Sequence, residues 1–284
     1  MTKDIKLVAL DMDGTLYTDK LEITEENRNA IKKALAAGVH IVISTGRPYC
    51  GLPLDIFREL GIRYAITVNG CGIYDITNNT CIYDNCMSPE IVTSIVRYLQ
   101  KKDIHYDAFI DGKRYREANK QHIVEHLTQF PEATRKFVKN NALFVEDLAA
   151  FIEEQQLTTQ KMTINFIPMP DGTFKDREDV WEYLTARTDV TALCGGYHNI
   201  EYTLAGTSKA MGLRFLAEYL NVPMEATMAC GDSQNDADIM QAAAIGVAMA
   251  NASNDIKAIA DFVSKSNNDS GVAYAIEKFV FHAE

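Results

Sequence analysis

The chain has 284 residues and a formal net charge of −11 at neutral pH. That length suffices for two domains with sizeable cores, and the acidic balance argues against nucleic acid, whose phosphates are gripped mainly by clustered Lys and Arg. Six cysteines (50, 71, 81, 86, 194 and 230) include no Cys-x-x-Cys pair and several lie in apolar runs, so they read as buried thiols rather than as a disulfide framework or a zinc site.

From Met1 the chain runs straight into strand-like sequence with no basic-then-apolar leader, and no stretch approaches membrane-spanning length. The expectation is a cytoplasmic protein with no membrane partner, and the Asn-x-Ser/Thr matches at Asn78, Asn251 and Asn268 are read as chance.

Ile5 to Leu10 is a short apolar run, too short for a globular helix, and it reads as a buried strand. Asp11-Met12-Asp13-Gly14-Thr15-Leu16 follows it directly. Side chains two apart on a strand point the same way, so both carboxylates are expected at its carboxyl end, with Gly14 turning the chain away. In open α/β sheets ligands bind at that edge. Two carboxylates so close call for a shared cation or a retained proton. A turn cap is the bland alternative. A calcium loop is another, but Leu16 stands where that loop needs glycine, and a strand rather than a helix comes before it.

A helix is predicted after Thr24, with Ala30, Ile31, Ala34 and Leu35 on one face and Gly38 past its end. Ile41 to Ser44 is a further buried strand, followed by Thr45-Gly46-Arg47, with Pro48 opening the next helix. A hydroxyl and a free amide beside a glycine at a strand end form a small anion cradle. Tyr64 to Val68 is another strand, followed by Asn69-Gly70, and a hairpin over Ile73 to Tyr83 turns at Asn78-Asn79.

From residue 84 the pattern changes to mixed helix and strand. Helices are predicted over Pro89 to Lys102, Asn119 to Gln129, Glu146 to Gln155 and Arg177 to Arg187. Strands are predicted over Ile104 to Ile110, Met162 to Ile167, Val190 to Leu193 and Asn199 to Leu204. This is an α+β insertion of about 115 residues, the size of an independent domain. Within it, His122-Ile123-Val124-Glu125-His126 matches the His-x-x-Glu-His zinc-peptidase spacing, which would place both histidines on one helical face. No second element supports a zinc reading, and a solvated helix face is the ordinary alternative.

Lys209 begins a helix predicted over Ser208 to Leu220, where a cation opposes the helix dipole and makes sense facing an anion. A solvated lysine is the bland reading. Ala226 to Cys230 is a last apolar run before Gly231-Asp232-Ser233-Gln234-Asn235-Asp236, with a helix from about Asn235. Asp232 comes before that helix and directly after the strand, which suits a ligand better than a cap. Hard oxygen donors of this kind suit magnesium, held by one or two carboxylates with water and substrate phosphate completing its shell.

Strand-Asp-x-Asp-Gly-Thr, strand-Thr-Gly-Arg, helix-Lys and strand-Gly-Asp-x-x-Asn-Asp, in that order, resemble the four motifs of the haloacid dehalogenase superfamily. Asn69-Gly70 and Gly246-Val247-Ala248-Met249-Ala250-Asn251-Ala252 look like further signatures of its Cof-type phosphatase branch. Ala210 and Ala250 stand where many relatives have glycine, and neither carries chemistry. The resemblance covers roughly residues 1 to 83 and 200 to 284. It implies an α/β fold: a Rossmann-like parallel sheet with helices on both faces over 1–83 and 200–284, and an inserted α+β cap over 84–199 that sets substrate specificity.

The resemblance also implies the chemistry. Asp11 is the nucleophile and forms an aspartyl-phosphate, while Asp13 is the general acid and base. Mg2+ is held by Asp11, the main-chain carbonyl of Asp13, and Asp232, with Asp236 and Asn235 in support. Thr45, Gly46 and Lys209 bind the transferring phosphoryl group, Met12 and Gly14 complete its cradle, and Arg47 and Asn69 support the site. The expected partner is a small phosphomonoester, a sugar phosphate or similar metabolite. A phosphomutase of the same superfamily and a non-catalytic phosphate- or magnesium-binding protein on this fold are the alternatives. A receiver domain carries its acidic pair adjacent and is far shorter, and a phosphate-driven pump lacks the second aspartate and needs membrane helices. The oligomeric state and the particular metabolite are left open, as is which of Lys113, Arg114, Arg116, Asn165, His198 and Asn199 reads the substrate.

Overall fold

The structure is a computed structural model, which describes residues 4–140 and 142–283. Its strands are, in chain order, β1 Leu7–Leu10, β2 His40–Ser44, β3 Tyr64–Thr67, β4 Gly72–Asp75, β5 Thr80–Asp84, β6 His105–Ile110, β7 Lys113–Glu117, β8 Leu143–Val145, β9 Lys161–Asn165, β10 Val190–Cys194, β11 Ile200–Leu204, β12 Thr227–Gly231, β13 Ile245–Ala248 and β14 Phe262–Val263. They form two sheets, one of eight strands in the order β14-β13-β12-β1-β2-β3-β4-β5 and one of six in the order β10-β11-β9-β6-β7-β8. The chain divides accordingly into one unit of residues 1–47, 51–83 and 208–284, and a second of residues 48–50 and 84–207.

In the first unit the strands from β14 to β3 pair in parallel, and β4 joins antiparallel to β3. The central strands β1, β2 and β12 are almost wholly apolar because both of their faces are covered. On one face Leu7, Ala9, Val42 and Ile66 pack with Leu213 and Leu216 of the helix Lys209–Tyr219. The neighbouring positions Val8, Leu10, Ile41 and Ile43, which alternation turns to the other face, are equally buried. The helix Glu25–Ala36, capped by the Thr24 hydroxyl, packs against β2 and against the helix Gly271–Phe279. Because β1 leads rightward to β2 while β12 lies on its left, the strand order reverses beside β1. That reversal opens a crevice at the carboxyl ends.

In the second unit β6, β9, β10 and β11 are antiparallel. Tyr106, Ala108, Met162, Ile164 and Tyr202 on one face of the sheet meet Val92, Ile95, Val96 and Ile152 of the helices Pro89–Leu99 and Leu148–Gln155 and Val180 of Arg177–Thr185. The unit therefore has a core of its own.

Four expectations need correction. The core boundary at residue 200 that the resemblance implies is too early: the strand at 200–204, predicted within the mixed helix-strand stretch, pairs with β9 and β10 and belongs to the second unit, so the chain changes unit at 207/208. Pro48 opens only the 3₁₀ turn Tyr49–Gly51; a second proline, Pro53, disfavours helix at Leu52 and delays the α-helix to Leu54–Leu60. The segment predicted as a helix over 119–129 is a 3₁₀ helix, Ala118–His126. With three residues per turn, His122 and His126 no longer share a face, and neither joins a group of potential metal ligands among the described residues. Strands β7 and β8 and the helix Glu132–Asn140 were not foreseen. Among the described residues no helix is long and apolar enough to cross a membrane.

Candidate active site

The carboxyl ends of β1, β2 and β12 bring Asp11, Thr45 and Asp232 together, and the helix following β11 adds Lys209. Asp11 leaves β1 with its amide donating to the Cys230 carbonyl of the neighbouring strand, 3.0 Å away. Its carboxylate, 6 % exposed, accepts from Lys209 Nζ at 2.7 Å. The same ammonium donates to Asp236 Oδ1 at 2.6 Å. Lys209 is completely buried, so the solvated reading of this lysine is excluded. Burial opposes its charge, but Asp11 and Asp236 outweigh that and raise its pKa.

Carboxylate oxygens of Asp11, Asp232 and Asp236 lie within 4.8 Å of one another. One ammonium faces all three. Burial pushes the Asp11 carboxyl up to about 8 despite Lys209, and Asp232, also repelled by Asp236, up to about 6. Thr15 Oγ1 donates to Asp232 Oδ1 at 3.0 Å and works in the opposite direction. Asp236 has a different surrounding. Its Oδ2 accepts from the amides of Asp232 and Ser233, both at 3.1 Å, and from Ser233 Oγ, so it anchors the loop as well as the lysine. Burial also pushes the Cys230 thiol up to about 12, which leaves it inert beside this cluster.

Asp13 takes another course. β1 ends at Leu10 and the chain is turning by Met12, so the two-residue alternation that would align Asp11 with Asp13 is lost. The Asp13 side chain is half-exposed and lies outside the three-carboxylate group; Arg47 holds it through Nε to Oδ2 at 2.8 Å and Nη2 to Oδ1 at 2.5 Å. The Met12 side chain is buried in the core, and its carbonyl accepts from the Tyr17 amide at 2.8 Å. Gly14 has φ +83°, and a Cβ there would stand 2.5 Å from Asp232 Oδ2. Both the turn and the close carboxylate demand glycine.

Thr45 is buried, and its Oγ1 accepts from the Arg47 amide at 3.1 Å. A Cβ on Gly46 would lie 3.0 Å from Asn69 Oδ1, which accepts from Asn235 Nδ2 at 3.1 Å. Asn69 and the preceding Val68 both occupy the left-handed region, with φ 54° and 51°. For a β-branched residue that is an outlier costing about 1–3 kcal/mol. Their amides nevertheless donate to the carbonyls of Thr45 and Arg47, each at 3.1 Å. At Gly70 a Cβ would collide with the Ser208 carbonyl at 1.9 Å, which fixes the start of the lysine helix.

Thr15, Ser233 and Asn251 were not among the predicted site residues. Thr15 stands inside the first motif and Ser233 inside the last, so the motif itself carried a signal for them. Asn251 donates to the Gly14 carbonyl at 2.8 Å and accepts from the Asn267 amide at 3.0 Å, and the signature-like stretch Gly246 to Ala252 that contains it carried the signal.

Acidic side chains around a buried lysine, at the reversal of a parallel sheet interrupted by an α+β insertion, define a class of phosphoryl-transfer hydrolases. The comparisons agree: the sequence model of the haloacid dehalogenase-like hydrolases matches residues 8–276. The chain is 33 % identical to phosphatase YwpJ of Bacillus subtilis, over 96 % of this chain and 99 % of that one. It is 31 % identical to the 5-amino-6-(5-phospho-D-ribitylamino)uracil phosphatase YcsE of the same organism, over 98 % and 96 %. The solved structure of a haloacid dehalogenase-like hydrolase from B. subtilis superposes with a TM-score of 0.77 at 29 % identity, covering 96 % of this chain and 99 % of that one. The protein belongs to the haloacid dehalogenase-like hydrolase family and is a phosphatase.

Proposed function

We propose that the enzyme hydrolyses small phosphorylated metabolites, sugar phosphates or similar phosphomonoesters, with Mg2+ and through an aspartyl-phosphate on Asp11. The observation that carries this is the Asp11 carboxylate at the end of β1, gripped by Lys209 at 2.7 Å and grouped with Asp232 and Asp236. Three hard-oxygen donors facing one ammonium fit a divalent cation, because the group is under-neutralised without one. Asp11, Asp232 and the Asp13 carbonyl would hold Mg2+, which when bound neutralises charge on the phosphoryl oxygens.

Asp11 attacks phosphorus in line with the leaving oxygen. Lys209 binds a phosphoryl oxygen and works against the burial that raises Asp11, whose ionisation Mg2+ would complete when bound, while Thr45 and the Gly46 amide hold the oxygens on the other side. Asp13 protonates the leaving alkoxide, then takes a proton from the water that opens the acyl phosphate. Relatives named as phosphatases, one for a phosphoribityl compound, support the class of substrate.

A screen of phosphorylated metabolites against the purified protein, reading released phosphate, tests the reading. Release should require Mg2+, stop on chelation and vanish in Asp11→Asn. Phosphate release that survives Asp11→Asn would overturn it.

The second unit holds none of these groups, and we assign it the selection of the leaving group. Substituting polar side chains there should alter preference among metabolites strongly and hydrolysis of acetyl phosphate little. Substitutions that depress all substrates alike would refute that assignment.

A further inference from the structure

The contact between Arg47 and Asp13 is two-toothed, Nε to Oδ2 and Nη2 to Oδ1, and exposed, with 38 % and 49 % of the two side chains accessible. An exposed ion pair adds little to stability. What a fork-to-fork contact does supply is direction, because both carboxylate oxygens are fixed in the plane of the guanidinium.

The backbone behind Arg47 is held with unusual care. Its amide donates to Thr45 Oγ1 at 3.1 Å, and its carbonyl accepts from the Val68 amide at 3.1 Å. Asn69 adds the bond to the Thr45 carbonyl, and its side chain packs close over Gly46, 3.0 Å from where a Cβ would stand. Both Val68 and Asn69 are left-handed for these two bonds. Strain retained at such a place is a mark of function. Here the two bonds hold the backbone of the loop whose arginine reaches Asp13.

We propose that Arg47 is a positioning residue for Asp13, orienting the acid–base carboxylate without binding the phosphoryl group. The proposal rests on the role given to Asp13 above. As the ester P–O bond breaks, the Asp13 carboxyl proton passes to the leaving oxygen; the attacking water later returns a proton to Asp13. Arg47 gains and loses none. Because both oxygens of Asp13 face the guanidinium, one contact yields during transfer and the other serves as the pivot. A lysine, a point charge, cannot provide that pivot.

The test uses the full chain with Arg47→Lys and Arg47→Met, and acid-quenched phosphoenzyme formation from two donors. An alkyl phosphomonoester expels an alkoxide that needs a proton; acetyl phosphate expels a carboxylate that does not. Both variants should form phosphoenzyme from the alkyl ester about 10- to 100-fold more slowly, part of the 10²–10⁴-fold contributed by a positioned acid, and from acetyl phosphate within about 3-fold of wild type. The alkyl KM should stay within about 3-fold. A KM raised equally for both donors would make Arg47 a phosphoryl ligand instead. Wild-type rates with Arg47→Lys, or an unchanged alkyl rate with Arg47→Met, would also overturn the proposal. Wild-type phosphoenzyme that disappears in Asp11→Asn upholds the underlying reading whatever the arginine variants do, and its absence from the wild type overturns both.

Discussion

Asp11 and Asp13 have the same side chain and two different environments, which is what the two proposed roles ask for. Asp11 is buried against Lys209, and Asp13 is half-exposed on Arg47. Asp11→Asn should therefore abolish turnover with the thermal transition preserved. Asp13→Asn should lower the rate by roughly 10²–10⁴-fold and lengthen the life of the phosphoenzyme. Equal losses with no phosphoenzyme in either variant would remove the distinction. Gly14 is constrained twice, by φ +83° and by Asp232 Oδ2 at 2.5 Å from a would-be Cβ. Gly14→Ala should cost about 1–2 kcal/mol in denaturant unfolding and raise the Mg2+ concentration for half-activity, because the methyl displaces Asp232. An unchanged Mg2+ requirement would separate Asp232 from the metal.

At the scale of elements, the helix Lys209–Tyr219 is held at its first residue. Ser208 caps it, Gly70 admits the Ser208 carbonyl, and Lys209 spans Asp11 and Asp236. The cap is ordinary; beside the apolar packing of Leu213 and Leu216, the buried ammonium ties the start of this helix to the end of β1 and to the loop after β12. Lys209→Met leaves two buried carboxylates without their partner, which should cost about 3–5 kcal/mol by urea titration in the absence of metal. A loss below about 1 kcal/mol would mean that the carboxylates simply take up protons as the ammonium departs.

For the whole molecule, two units with separate cores should respond oppositely to pH. His105 in β6 is fully buried, and desolvation, reinforced by Arg116 and Arg114 and opposed by Asp107, lowers it to about 4. Between pH 6.5 and 4 the unfolded chain binds the extra proton, so stability of the second unit falls as pH falls, by about 2 kcal/mol between pH 7 and 5. Asp107, itself held below 3.8, titrates outside that window. In the first unit without metal the sign reverses. Asp11 and Asp232 keep protons up to about 8 and about 6 that the unfolded chain has already lost, so stability falls as pH rises. Amide exchange corrected for its intrinsic pH dependence, compared for β6 and β9 against β1 and β12, should show the two trends, with His105→Gln flattening the first. Parallel trends in both units would refute this.

Three of the four motifs were legible because each is local: an apolar run ends and a carboxylate, hydroxyl or glycine follows within a few residues, as at Leu10–Asp11, Ser44–Thr45 and Gly231–Asp232, while Lys209 stood out as a cation in a first helical turn. The long helices were legible for the same reason, from apolar spacing and their end residues, as in the helix after Thr24 with Gly38 past its end. Strand β7, Lys-Arg-Tyr-Arg-Glu, was not, because a strand of charged residues shows no hydrophobic alternation; it exists by pairing with β6 and β8, where Arg116 is fully buried on Asp107. The mixed pattern placed β11 in the insertion, as its pairing with β9 shows, whereas the boundary at residue 200 implied by the resemblance did not. Sequence by itself determined which chemical groups stand at the strand ends and at the start of the lysine helix. Tertiary structure decided what each one touches: Lys209 meets Asp11 across 198 residues, and Asp13 turns to Arg47 rather than to its neighbour. Pairings of that kind follow from strand order and burial, which no local run of residues encodes.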